Sequence, residues 1–371
     1  MAQIRYFLGA NSPNGFYSLY DQLIDLESAQ AVYLLKGGPG CGKSSFMRRV
    51  ARHAEAAGYS VQYILCSGDP DSLDAIVIPD LSIALVDATA PHVIEPSYPG
   101  VVEHYLNLGA YYDGAGLQSI RSAIQADMKG YKEHYKRCYR CLSAAAELDA
   151  DLHELLLTPE VSAKLVKRAK GILSRELKGD GTGGTVQQRF LSGLTHRGTV
   201  CCWETVEAQC RRVYELCDSY GLAHSLLTPI LTAATARGFD VVACPCPLAP
   251  DRLEHLLIPG LGLAFVTSSQ ELAYPGRPYR RLHLDTLACG DVYRRYRARV
   301  RFTRKVSAAL KAEAVQALAR AKAQHDALEA HYNPFVDFDG VYAQADQLAN
   351  QIIPETALTA SPPSRPEGSP A

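Results

Sequence analysis

The sequence lacks three features that would each indicate a particular class of protein. It has no run of about 18 uncharged apolar residues, so no membrane span is expected. Its formal net charge is only -1, so electrostatics gives no indication of nucleic-acid or anionic-membrane binding. Its first residues lack the long apolar core of a secretory signal.

The sequence also lacks an even set of cysteines. It has 11, scattered through a long chain, which favours free thiols in a reducing compartment and a cytoplasmic protein. Cys138 and Cys141 form a CxxC pattern, and Cys244 and Cys246 form a CxC pattern. A structural zinc ion is one interpretation of these pairs. No histidine lies at zinc-finger spacing, so buried or incidental thiols are favoured.

An internal repeat is the strongest feature that the sequence does have. With 371 residues, of which 47% are apolar and 21% charged, the chain is typical of a soluble protein with two domains. Residues 58–87 align without a gap with residues 238–267, and 11 of these 30 positions are identical. Arg5–Leu8 likewise resembles Gln188–Leu191. The match indicates a duplicated unit.

Each repeat predicts an α/β unit. Ala31–Lys36 is a short apolar run typical of a buried parallel strand, and the amphipathic segment after it predicts a helix ending at Gly58. Val61–Cys66 and Ser82–Val86 predict two further strands, the last ending at Asp87. Strands joined through a helix predict a three-layer α/β fold with a parallel sheet in each half.

Helical regions follow both α/β units. Pro159 and Pro334 interrupt these regions at comparable places, so we expect antiparallel helical hairpins that pack on or between the α/β domains. The glycine-rich segment 179–184 predicts a flexible linker. The predicted parts are an α/β domain (1–116), a helical region (117–178), a linker (179–187), a second α/β domain (188–292), a helical region (293–353) and a disordered tail (354–371).

A glycine-rich segment lies between the first buried strand and the following helix, and it fits the pattern G-x-x-x-x-G-K-[ST]. Glycines let successive backbone amides point at phosphate oxygens, and the helix presents its positive end to the same anion. Lys43 would contact the β- and γ-phosphates, and the Ser44 hydroxyl would complete a Mg²⁺ shell. We therefore predict a site for a nucleoside triphosphate, ATP with Mg²⁺, formed by Gly37, Gly38, Pro39, Gly40, Cys41, Gly42, Lys43, Ser44 and Ser45.

The end of the third strand supplies a second part of this site. Asp87 follows a run of apolar residues, as a Walker B aspartate does, so we predict that it holds Mg²⁺. A helix N-cap is the alternative interpretation of the same residue. His92, in the proline-containing loop that follows, is a candidate sensor or base near the γ-phosphate, and an incidental loop histidine is the alternative.

The residue that would activate water is less evident. Many ATPases have an acid directly after the Walker B aspartate, but this chain has Ala88. The segment Cys66–Asp74, at the end of the neighbouring strand, supplies three carboxylates instead, and Asp69 or Asp71 could orient an attacking water. Asp71 has a repeat counterpart in Asp251, which favours a structural role as a turn or helix cap. Asp69 is therefore the preferred catalytic candidate.

The second half has lost the features of this site. The segment Gly37–Ser45 is hereafter named the phosphate loop. The sequence alignment places residues 220–225 against residues 39–44 of this loop. His224 then stands at the position of Lys43, and Thr267 stands at the position of Asp87. We expect a degenerate second half and one nucleotide for each chain.

Three segments, Leu35–Ser44, Cys66–Pro79 and Asp87–Gly100, together resemble a family of uncharacterised bacterial P-loop ATPase-like proteins with two tandem P-loop domains. The resemblance covers nearly the whole chain except the tail. It implies ATP binding and hydrolysis but no further substrate. Members often keep GK[ST] in both halves, whereas this chain has it only in the first, so a two-site arrangement is not carried over.

Three functions fit these observations. The first is a Mg²⁺-dependent ATPase whose hydrolysis changes the arrangement of the two halves. The second is a small-molecule or nucleoside kinase, which would fit a second strand lying directly beside the phosphate-loop strand, although no arginine-rich lid is evident. The third is a non-catalytic module whose binding depends on nucleotide. A protein partner or self-association is compatible with all three.

Overall fold

The computed structural model describes residues 3–91, 93–179 and 181–354. Strands and helices are numbered here in chain order. The first half contains β1 (Ile4–Tyr6), β2 (Gly9–Ser12), β3 (Gly15–Ser18), β4 (Ala31–Lys36), α1 (Lys43–Ala56), β5 (Gln62–Leu65), β6 (Leu73–Ile78), β7 (Ile83–Asp87), β8 (Glu103–Asn107), α2 (Gly114–Ser119), α3 (Arg121–Leu156) and α4 (Pro159–Glu176). The second half contains β9 (Val186–Gln188), β10 (Ser192–Thr195), β11 (Gly198–Cys201), α5 (Trp203–Gln209), β12 (Arg212–Cys217), α6 (Ala223–Ala236), β13 (Val241–Cys246), β14 (Ala249–Ile258), β15 (Leu263–Ser268), β16 (Arg280–His283), α7 (Asp285–Ala288), α8 (Asp291–Arg295), α9 (Arg297–Tyr332) and α10 (Phe338–Ile352).

Each half contains one six-stranded mixed sheet, and the two sheets have the same topology. The orders are β1-β5-β6-β7-β4-β8 and β9-β13-β14-β15-β12-β16. In both sheets the third strand is antiparallel to its two neighbours, and the other pairs are parallel. The α/β prediction is therefore confirmed, and the equal strand order agrees with the sequence repeat.

The prediction of fully parallel sheets is wrong. Leu73–Ile78 lies between the predicted strands Val61–Cys66 and Ser82–Val86, where the sequence pattern predicts no strand, yet it forms β6, and all six of its residues are buried. Only a short loop precedes β6, and the 3-10 turn Pro79–Leu81 follows it. Such short connections reverse the chain and so produce antiparallel pairing, because a parallel pair needs a crossover of a dozen or more residues. β14 repeats this arrangement in the second half.

The long helices do not form the hairpins predicted within each half. Instead α3 packs along α9, α4 packs on α6, and α10 packs on α1, so each half lends a helix to the other. The ion pairs His331–Asp127 and Arg299–Asp151 show that α3 and α9 are antiparallel. The apolar face of α10 belongs to the core of the first half, which explains this exchange.

The glycine-rich segment between the halves is predicted from its composition to be a flexible linker. In the structure its residues Gly181 and Gly184 pack against the backbone of residues 237–239. A Cβ atom built on Gly184 would lie 2.2 Å from the Phe239 carbonyl oxygen, and one on Gly181 would lie 2.8 Å from that of Arg237. Glycine is needed here because the two backbones approach closely. The strand β9 begins inside this predicted linker. The predicted tail falls outside the described residues apart from Pro354.

One hydrophobic core contains residues of both sheets. Val242, Leu257 and Ala264 belong to the core that includes the first sheet, whereas their chain neighbours Val241 and Leu256 belong to a second core beneath α4 and α6. Alternate residues of a strand face opposite sides of its sheet. One face of the second sheet is therefore buried together with the first half.

Candidate functional site

The loop between β4 and α1 leaves its backbone amides available. Gly40 and Gly42 have φ angles of +69° and +84°, in the left-handed region that favours glycine. Gly42 is the N-cap of α1, and no side chain caps this helix. Among the residues that the structure describes, no acceptor is bonded to the amides of Cys41, Lys43 or Ser44. Free amides at a helix start form an anion-binding site.

Lys43 and Asp87 lie together at this loop. The Lys43 ammonium donates to the carbonyl oxygens of Gly37 at 2.8 Å and Gly38 at 2.9 Å. It also lies 3.6 Å from Asp87 Oδ2. The parallel pairing of β4 with β7 brings them together, because Leu35 is opposite Asp87. Both residues are predicted for the site from the sequence, and the fold places them side by side.

The oxygen atoms of Ser44 and Asp87 are of the type that Mg²⁺ prefers. Ser44 Oγ accepts a hydrogen bond of 3.0 Å from the Leu73 amide, which leaves the hydroxyl a further lone pair. Asp87 Oδ1 accepts from the Thr89 amide at 2.9 Å, and Oδ2 faces Lys43. A hydroxyl and a carboxylate at the end of a parallel strand suit a magnesium ion that also contacts phosphate.

One side of the loop is closed by residues from the end of the chain. A Cβ atom built on Gly40 would lie 2.8 Å from Asn333 Oδ1 and 3.2 Å from the Glu329 carbonyl oxygen. A Cβ atom built on Gly42 would make an ordinary van der Waals contact, at 3.5 Å, with the Phe338 ring of α10. The loop between β4 and α1 thus lies close to the end of α9 and the start of α10.

Asp69 has structural contacts that explain its position. Its carboxylate accepts from the Asp71 amide at 3.2 Å and the Ser72 hydroxyl at 3.1 Å, and it lies 3.4 Å from Lys322 Nζ. Asp71 instead points to Arg197, which lowers the pKa of the Asp71 carboxyl. The turn-capping role predicted for Asp71 therefore belongs to Asp69. His92 lies outside the described residues.

Asp74 is the third carboxylate of the segment Cys66–Asp74, and the sequence pattern did not single it out for the site. The β6–β7 register pairs Ala75 with Val86, so Asp74 and Asp87 each stand one residue beyond that pair. Residues opposite each other in an antiparallel pair point to the same face. Asp74 is only 4% exposed. Asp74, near the beginning of β6, and Asp87, at the end of β7, thus lie on adjacent strands at the edge where Lys43 lies.

Tyr20 is hydrogen-bonded to Asp74 and lies within the electrostatic influence of Asp87. Its hydroxyl donates to Asp74 Oδ2 at 2.9 Å. Burial raises the pKa of the Tyr20 hydroxyl well above its ordinary value, and the charges of Asp74 and Asp87 raise it further. Tyr20 therefore stays protonated as a donor at neutral pH. The signal in the sequence was that the repeat counterpart of Asp74 is Glu254, also an acid.

The corresponding helix start in the second half is occupied by the protein's own carboxylate. Asp218 accepts hydrogen bonds from the Tyr220 amide at 2.9 Å and the Ala223 amide at 2.7 Å. It is 5% exposed, and burial raises the pKa of its carboxyl. A carboxyl group of the protein itself thus bonds to the amides at this helix start, a feature that the sequence pattern did not reveal.

The structure corrects the alignment of the two loops. The Leu253 amide donates to His224 Nδ1 at 3.0 Å, just as the Leu73 amide donates to Ser44 Oγ. His224 is therefore the counterpart of Ser44, and Ala223 is the counterpart of Lys43. The prediction that His224 replaces the lysine is wrong, because the second loop is one residue shorter between its strand and helix.

The paired cysteines behave as buried thiols. Cys138 and Cys141 lie in an apolar cluster between α3 and α9, and burial raises the pKa of Cys138 to about 12. Cys244 and Cys246 are also free thiols. A thiol binds zinc as its thiolate, and these surroundings disfavour that form.

Comparisons with known proteins add no relative from which a function could be transferred. No family model matches the chain, and searches of curated proteins and of solved structures returned no significant match. Among the helices of residues 3–91, 93–179 and 181–354, none is both long and apolar enough to cross a membrane.

Proposed function

We propose that this protein is a Mg²⁺-dependent nucleoside triphosphatase that uses ATP at a single site in its N-terminal half. One observation carries the proposal: the unbonded amides from Cys41 to Ser44 lie beside the Lys43–Asp87 pair at the start of α1. The corresponding helix start in the second half is capped by Asp218. The contrast supports one phosphate site in each chain.

Each residue of the loop has a role that follows from its chemistry. The free amides from Cys41 to Ser44 bind phosphate oxygens, and the glycines of the loop permit the backbone to approach them, whereas Pro39 has no N–H to donate. Lys43 exchanges its two carbonyl contacts for the β- and γ-phosphates, where a full negative charge binds an ammonium more strongly. Ser44 and Asp87 hold Mg²⁺, which neutralises charge on the phosphates.

We assign Asp74, rather than Asp69, to the attacking water. The water oxygen bonds to the terminal phosphorus while the bridging P–O bond breaks, and Asp74 accepts the water's proton. Asp74 shares its strand edge with Asp87, whereas the Asp69 carboxylate is bonded within its own turn and to Lys322. Tyr20 fixes the orientation of the Asp74 carboxylate.

The strand order does not favour the kinase alternative. The second strand, β5, is separated from β4 by β6 and β7. A kinase would fit an order in which these two strands are direct neighbours, and the sheet does not have that order. The strand that carries Asp87 lies beside β4 instead.

Calorimetry with a panel of nucleotides and Mg²⁺, followed by single-turnover phosphate release, tests the proposal. We expect Lys43→Ala to lower ATP affinity and phosphate release by about 100-fold, because a charge-assisted contact to the transferred group is lost. The control Lys164→Ala, an exposed lysine of α4, should behave as wild type. No measurable affinity for any triphosphate would refute the site. Tight binding without release would leave a nucleotide-dependent binding module.

A further inference from the structure

The second half contains a cavity of about 620 Å³ beyond the carboxyl ends of its parallel strands. Its walls come from the loop that follows β12, from β14, from the end of β15 and from the facing sides of α3 and α9. Ligands of α/β sheets commonly bind outside the carboxyl ends of the strands, and this volume is within the usual range of small-molecule sites.

The cavity exists because small or flexible residues replace tyrosines. α3 and α9 are both 36 residues long, so Ser307 and Lys311 are the counterparts of Tyr131 and Tyr135. In the first half the two tyrosine rings pack together at 5.0 Å, and Tyr135 lies directly against Gly68. The second half has no aromatic rings at these two positions, and the volume is left open.

The cavity cannot bind a triphosphate in the manner of the first half. Asp218, which also lines it, holds the amides at the start of α6. Any anionic ligand must therefore be recognised by side chains. The ligand should differ from that of the phosphate loop.

Two guanidinium groups line this cavity without an acidic partner. Among the residues that the structure describes, no carboxylate lies within 4.0 Å of the guanidinium of Arg252 or Arg304. Arg304 lies over the Tyr220 ring, 5.8 Å from its centroid, which orients its planar group. Lys311 differs from both, because it is already paired with Asp149 at 2.8 Å. Guanidinium groups suit the flat, two-oxygen geometry of carboxylates and phosphates.

A buried hydroxyl group also lines the cavity. Ser307 is 2% exposed, and its Oγ atom has no hydrogen-bond partner among the residues that the structure describes. A buried polar group without a partner costs free energy, so a ligand atom that bonds to it is favoured. Glu147 and Glu271 line the same cavity and can accept from hydroxyl or ammonium groups.

We propose that this cavity is a second ligand site, for a small polar organic acid. The ligand carries a carboxylate or a phosphate ester that binds Arg252 and Arg304, together with hydroxyl or amino groups. Ser307 bonds to it from α9. The site is independent of the nucleotide site, because none of these residues contributes to the phosphate loop.

Calorimetric titration of the full chain with inorganic phosphate, ribose 5-phosphate, glutamate and citrate tests this proposal. We expect one binding event per chain with a dissociation constant below ~1 mM for at least one organic compound in the panel. Arg304→Gln should weaken binding by about 10-fold through loss of a charge-assisted bond. Ser307→Tyr, which restores the tyrosine of the first half, should abolish it. Comparison of ribose 5-phosphate with glutamate and citrate shows whether the site prefers a phosphate ester or a carboxylate.

Two controls separate binding in this cavity from binding elsewhere on the chain. Arg301→Gln changes an exposed arginine of the same helix that does not line the cavity, and it should leave binding unchanged. Lys43→Ala should also leave it unchanged. Absence of binding by every compound overturns the proposal, as does binding that survives both Arg304→Gln and Ser307→Tyr. Loss in Lys43→Ala would assign the binding to the phosphate loop instead. If Ser307→Tyr does not fold, Arg304→Gln decides.

Discussion

Phe7 and Phe190 exchange two backbone hydrogen bonds, of 2.8 Å from the Phe7 amide and 2.9 Å from the Phe190 amide. They occupy equivalent positions in the internal repeat, so the two halves are bonded to each other through equivalent residues. When equivalent residues of two halves pair in antiparallel fashion, a local two-fold rotation axis passes between them and relates one half to the other. The antiparallel pairing of α3 with α9 follows the same relation, and so does the exchange of α4 and α10.

This two-fold arrangement has a consequence for the phosphate loop. The end of α9 contacts Gly40, while the same helix lines the cavity of the second half through Arg304 and Ser307. One continuous helix therefore touches both candidate sites. At about 1.5 Å per residue, these contacts lie tens of ångströms apart.

Replacing Asp74 tests the assignment of the water-orienting acid. We expect Asp74→Asn to lower single-turnover phosphate release by about 100-fold, because general-base assistance is lost. ATP affinity should change little, since the amide keeps the shape of the carboxylate and still accepts from Tyr20. Calorimetry and a phosphate-release assay measure the two effects.

Asp69→Asn is the matched control for this prediction. Its loss of the Lys322 contact should leave phosphate release near the wild-type rate. If Asp69→Asn stopped release and Asp74→Asn did not, the two assignments would have to be exchanged.

Replacing Gly40 tests the close contact between the phosphate loop and the end of α9. Gly40→Ala should reduce the free energy of unfolding by ~2–4 kcal/mol, because it combines a positive φ with a clash against Asn333 and the Glu329 backbone. ATP affinity should fall as well. Urea unfolding measures the loss of stability.

Gly58→Ala provides the comparison for that variant. Gly58 also has a positive φ, +90°, but an added Cβ would meet nothing within 4 Å. Its cost should be limited to the conformational penalty of ~1–2 kcal/mol. Equal losses of unfolding free energy in the two variants would mean that the end of α9 does not closely contact Gly40.

The contact between α1 and α10 should make stability depend on pH. The Arg49 side chain, and then His53, lower the pKa of Asp346 from 3.8 to about 2. A carboxyl group whose pKa is lower in the folded state stabilises the protein at pH values above its unfolded-state pKa. This stabilisation is lost as the pH falls through the folded-state pKa. We therefore expect Asp346→Asn to lower the melting temperature at pH 7, with a difference from wild type that shrinks below pH 3.8 and is mostly lost at about pH 2.

Thermal melts from pH 7 to pH 2 measure this effect. Because Arg49 and Asp346 are each about one-third exposed, added salt should reduce the difference at pH 7. Glu154→Gln, at an exposed position of α3, should show no comparable pH dependence. A difference that stays constant across the whole range would exclude the ion pair as its cause.

The sequence by itself determined the parts of this protein that depend on neighbours in the chain. The strand Ala31–Lys36 has the predicted bounds, and α1 follows it as expected, because apolar periodicity and glycine placement act over a few residues. The phosphate-loop pattern and the repeat were likewise readable directly. The equal strand orders of the two sheets agree with that repeat.

Only the tertiary structure decided which distant groups meet. The burial of Asp74 beside Asp87 depends on strand register, and the capping of α6 by Asp218 depends on the length of one loop. The exchange of α4 and α10 also depends on tertiary packing. The apolar pattern of each helix shows which of its faces is buried, but the same pattern would suit packing against either half. Such choices are made by packing between segments far apart in the chain, which a local pattern cannot specify.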